Sequence, residues 1–136
     1  MRKPILTLLA AALLLSPLTA MAETRVMIAQ NGMQARQAGP TEILVLPRPS
    51  ARPTDYWCAA GDYAVRAMGL TNRTRLWRAT PASARVGNGI LFTLDETKKA
   101  EGAGLSEYGS GPRDGSMSLG MAVGSYCRPV IPFWRD

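Results

Sequence analysis

Arg73, Arg75 and Trp77 are the residues whose types and spacing come closest to binding chemistry in this 136-residue chain. In a strand, alternate side chains point to one face, so two guanidiniums and an indole would form a stripe, with Thr74, Leu76 and Arg78 turned away. Such a stripe suits an anionic or sugar ligand, because guanidinium makes forked, charge-assisted hydrogen bonds and the indole offers a stacking face. The plainer alternative is a solvated face on which Trp77 lies over an arginine stem.

Catalytic groups are scarcer. The chain has no histidine, which removes Ser-His-Asp and Cys-His mechanisms and the usual zinc sites. Gly-x-Ser-x-Gly, Ser-x-x-Lys and phosphate-loop patterns are absent. Gly102-Ala103-Gly104 and Gly109-Ser110-Gly111 do not sit between a strand and a helix, so they are not read as a dinucleotide site. Glu101, Glu107 and Asp114 could pair as acid and base in a carboxylate-dependent polysaccharide hydrolase, but their spacing sets no distance between them. No catalytic residue, metal ligand or cofactor is assigned, and the reading leans away from an enzyme.

The N-terminus supplies an address. Arg2 and Lys3 precede an apolar run at 5–15, and Ala20-Met21-Ala22 has the small-x-small pattern of a cleavage site. The run is shorter than the ~20 residues that span a bilayer. Residues 1–22 are therefore expected to be a cleaved signal peptide, and the mature form, without a membrane span, to be periplasmic or extracellular. Removing 22 of the 136 residues leaves 114, one domain in size. Arg2 and Lys3 leave with the signal, so fourteen basic residues face ten acidic ones and the net charge falls from +6 to +4. Twelve of those fourteen are arginine. A basic exported protein is expected to meet an anionic polysaccharide, lipid headgroup or envelope protein, whereas export takes it away from nucleic acid.

Cys58 and Cys127, the two cysteines, would join in an oxidising compartment. No Cys-x-x-Cys motif suggests redox chemistry. A disulfide closing a loop this long stabilises by about 4 kcal/mol in the chain-entropy model.

These residues need elements to hold them. Residues 23–53 read as a flexible arm, with a candidate edge strand at 41–46 and a stiff proline-rich linker at 47–53. Residues 54–136 read as a single compact domain. Its main helix is expected over about 55–68, capped by Thr54 and stopped by Gly69. Trp57, Ala60, Gly61, Ala64, Val65 and Met68 share one arc of it, and Asp62 and Arg66 form a solvated i, i+4 pair opposite. Gly61 in a helix implies close approach of another backbone, expected from a sheet. Strands are expected at 73–79, 89–94 and 116–124. In the last, Met117, Leu119, Met121 and Val123 alternate toward one side and Cys127 continues the parity.

The fold expected is α+β: one main helix on a three- to four-stranded antiparallel sheet, stapled by Cys58 and Cys127. The long glycine-rich loop at 95–115 is a second site candidate. The apolar tail at 128–136 would fold back on the core or dock on a partner. The function expected is a small exported binding or inhibitor-type module for an anionic envelope polymer or protein. The alternatives are the hydrolase above and an accessory subunit of an envelope complex.

Overall fold

The computed structural model describes residues 25–81, 86–100 and 115–127. The expected signal peptide, the carboxylates Glu101, Glu107 and Asp114, and the apolar tail lie outside the described residues.

The described chain forms an antiparallel sheet of six strands with two α-helices. The strands are β1 (Met27–Ile28), β2 (Gln34–Gln37), β3 (Glu42–Val45), β4 (Arg75–Arg78), β5 (Ile90–Thr93) and β6 (Met117–Ser118), in the order β1-β2-β3-β5-β4-β6. The helices are α1 (Pro53–Arg66) and α2 (Leu119–Tyr126). The class is α+β, but the sheet has six strands and not the three or four expected.

The extra strands come partly from the segment read as an arm. Ala29, Met33 and Ala35 are buried, and Gly32, at φ +81°, makes the turn between β1 and β2. Ala29 N–H donates to Met33 O at 2.8 Å, and the register continues through Ile28 opposite Gln34 and Met27 opposite Ala35. β1, β2 and β3 of this segment belong to the sheet. β3 is an interior strand, not an edge: Ile43 faces Gln37 on β2 and Phe92 on β5.

α1 starts one residue before the expected cap. Arg52 is the N-cap, its N–H donates to Asp55 Oδ2 at 2.8 Å, and Pro53 occupies a first-turn position that needs no donor. Gly69, at φ +69°, follows its C-terminal end. Trp57, Ala60, Gly61 and Ala64 are buried as expected, but so are Ala59, Asp62 and Tyr63, because α1 is covered on more than one side. Trp57 meets Phe92 of β5 edge to face, centroids 4.8 Å apart, and Ile43, Val45 and Leu76 complete the sheet side of this core.

The strand expected at 116–124 is a strand only at Met117–Ser118, and the chain then turns into α2. Ser118 causes the switch: its Oγ accepts the Met121 N–H at 3.2 Å and caps the helix. Leu119 and Ala122, three apart, are the buried pair that packs on α1. Gly61 does mark a close approach, but of α2. A Cβ built there would lie 2.8 Å from the Ala122 Cβ. The Cys58–Cys127 disulfide joins α1 to the end of α2, with Cα atoms 4.9 Å apart.

Candidate functional site

β4 does not carry an open stripe. The strand begins at Arg75, so Arg73 sits in the preceding turn, exposed. Arg75 and Trp77 share a strand face, as expected. Arg75, however, is half-buried and donates from Nε and Nη2 to Ser116 Oγ at 3.0 and 2.6 Å. Trp77 is 8% exposed and offers no open indole face for stacking. β4 and the turn before it therefore present one exposed guanidinium, Arg73, and no accessible ring.

Two further guanidiniums without an ion pair among the described residues lie at the other end of the sheet. A groove of about 860 Å³ is lined by residues 25–27 beside and in β1, by 36–40 from β2 into the β2–β3 turn, and by Tyr63 and Ala67 from the C-terminal end of α1. Its charged lining residues are Arg25 and Arg36, and neither meets a carboxylate among the described residues. No acidic residue is among the described lining.

Each wall of the groove is fixed by local chemistry. The β2–β3 turn is held by Ala38 N–H to Glu42 O at 2.9 Å and by Gln37 Nε2 to Gly39 O at 2.8 Å. Gly39 lies against the Glu42 carboxylate, which would have to shift to admit a side chain there. Glu42 accepts from Lys98 Nζ at 2.6 Å and from Thr41 Oγ1 at 2.8 Å, contacts that hold its carboxyl below the ordinary value and raise the Lys98 ammonium. This charge is thus satisfied away from Arg25 and Arg36.

The β1 wall is pinned to α1 by Asp62. This carboxylate is 1% exposed and accepts Gln30 N–H at 2.9 Å, Gln30 Nε2 at 2.8 Å and Arg66 Nε at 2.8 Å. Burial alone would raise the Asp62 carboxyl, but the hydrogen bonds from Arg66 and Gln30 outweigh it and hold the group below its ordinary value. Arg66 also donates from Nη2 to Ile28 O at 3.1 Å. The expected i, i+4 pair of Asp62 and Arg66 exists, but it is a partly buried clamp and not a solvated surface pair. Asn31 completes the attachment, with Nδ2 on Asp55 O at 2.8 Å and its own carbonyl on Arg48 Nη1 at 2.6 Å.

Arg25 and Arg36 were not singled out from sequence because the segment that holds them was read as an arm. The signal was Asn31-Gly32, a turn-forming dipeptide between Arg25-Val26-Met27-Ile28-Ala29 and Met33-Gln34-Ala35-Arg36-Gln37, which alternate in register once folded as a hairpin. Among the described residues there is no group of three or more residues able to hold a metal ion, and no helix long and apolar enough to cross a membrane. No family model, curated protein or solved structure matches the chain.

Proposed function

We propose that this protein is a small exported binding module that holds an anionic partner in the groove between β1, the β2–β3 turn and the end of α1. The observation that carries this is the presence of Arg25 and Arg36 on one open groove with no carboxylate partner among the described residues. Unpaired guanidiniums beside one groove attract carboxylate, phosphate or sulfate groups through forked, charge-assisted hydrogen bonds. The Asp62 clamp and the Gly39 turn hold the walls, and a disulfide suits an oxidising compartment.

Purified, disulfide-bonded protein should bind a polyuronate such as alginate at low salt, and binding should weaken as salt rises. Arg25→Ala with Arg36→Ala should abolish most of it, whereas Arg73→Ala with Arg75→Ala should leave it largely intact. Binding lost only in the second pair would move the site to β4 and overturn the assignment to this groove.

A further inference from the structure

β1 is a terminal strand of the sheet, and its second edge pairs with no strand among the described residues. The ladder fixes which of its backbone groups face outward. In an antiparallel pair, residues that exchange backbone hydrogen bonds alternate with residues whose N–H and C=O point away from the partner. Ala29 donates to Met33 O, so Ile28 is an outward position, and Arg66 Nη2 meets the Ile28 carbonyl there. The same alternation makes Val26 the next outward position, on the groove wall and beyond the guanidinium that occupies the edge at Ile28.

Val26 and Ile28 are also the large apolar residues most exposed among the described residues, at 48% and 64%. Outward backbone groups, exposed apolar side chains and uncompensated positive charge thus coincide at one sheet edge. We propose that the ligand of the groove is an extended acidic peptide segment of a partner protein, added beside β1 at Val26, with its carboxylates on Arg25 and Arg36. This rests on the groove reading above and names its ligand class.

Strand addition uses all three features, since main-chain hydrogen bonds supply affinity and alternate side chains supply specificity. A polysaccharide would use the arginines but not the apolar pair. A second copy of this chain would bring two more arginines and no described carboxylate to this edge, leaving Arg25 and Arg36 uncompensated. Continuing the β1–β2 register past Met27 sets Arg25 opposite Gln37 and Val26 opposite Arg36, so the two arginines lie on opposite faces of the pair. Consecutive side chains of an added strand also alternate in face, so the segment that fits best carries two neighbouring acidic residues flanked by apolar ones.

The test uses a capped hexapeptide with a central Glu-Glu pair flanked by valines, the same peptide N-methylated at alternate backbone nitrogens, and alginate. Affinities are read by calorimetry against disulfide-bonded protein. The parent peptide should bind in a salt-sensitive way, lose about tenfold or more on N-methylation, as for one hydrogen bond of about 1.4 kcal/mol, and fail to bind Arg25→Ala with Arg36→Ala. Equal binding of both peptides, or alginate binding with no peptide binding, would overturn strand addition while leaving an anion-binding groove. Binding of none of the three probes would overturn the groove reading itself.

Discussion

Gln30 and Asp62, separated by 32 positions in sequence, share two hydrogen bonds, from the Gln30 N–H to Oδ2 at 2.9 Å and from its Nε2 to Oδ1 at 2.8 Å. With Arg66 on the same carboxylate, the pair ties the β1–β2 hairpin to α1. A hairpin whose first strand has two residues has little stability of its own. The carboxylate is therefore one of the contacts that keep Arg25 and Val26 at the groove, with Arg66 on Ile28 O and Asn31 on Asp55 O.

Asp62→Asn preserves shape but turns an amide NH2 toward donors that need an acceptor. Destabilisation of about 1–3 kcal/mol is expected, the cost of one unsatisfied buried polar contact, measured by urea denaturation. Because the folded carboxyl lies below its ordinary value, its contribution is present above that value, about 3.9, and is lost as pH falls through it toward the folded value. The gap between native protein and variant should accordingly narrow below about pH 4. A gap that stays constant down to the acid transition would show that ionisation of Asp62 does not stabilise the fold.

Replacing Cys58 and Cys127 together by alanine opens a connection with a sequence separation of 69. The chain-entropy model gives a loss of about 4 kcal/mol, a large part of the stability of a domain this size. A thermal scan should show a fall of many degrees, and the same fall when the native protein is reduced. Two reactive thiols in the native protein would contradict the staple.

Gly61→Ala sets a gain in helix propensity against a clash. The gain is about 0.5–1 kcal/mol, whereas forcing a methyl into a packed core costs about 1–3 kcal/mol. With the added Cβ 2.8 Å from that of Ala122, the clash should prevail and the net loss should be about 1–2 kcal/mol by denaturant midpoint. Ala122→Gly in the same chain should recover part of it.

The helix over most of Pro53–Arg66 was legible because Gly69 follows its end and its apolar positions recur at helical spacing, although the cap is Arg52 and not Thr54. Residues 116–124 were misread because Met117, Leu119, Met121 and Val123 satisfy a period of two, while the small residues Gly120, Ala122 and Gly124 hid the contact surface of a helix. Ser118 was the decisive cue, and a helix-capping serine looks the same in a list of strand residues. The first two strands, of two and four residues, are too short for periodicity to emerge. Asp62 and Arg66 were correctly paired, but i, i+4 spacing carries no information about burial. What covers Asp62 is a segment 32 residues earlier, and only tertiary structure brings it there.

The groove itself is tested most directly by following backbone amides of labelled, disulfide-bonded protein in NMR spectra as the acidic hexapeptide is added. Shifts should concentrate at residues 25–28 and 36–40 with Tyr63 and Ala67, and disappear in Arg25→Ala with Arg36→Ala. Shifts centred on Arg73 and Arg75, or a spectrum unchanged at saturating peptide and at saturating alginate, would contradict an anion-binding groove at β1.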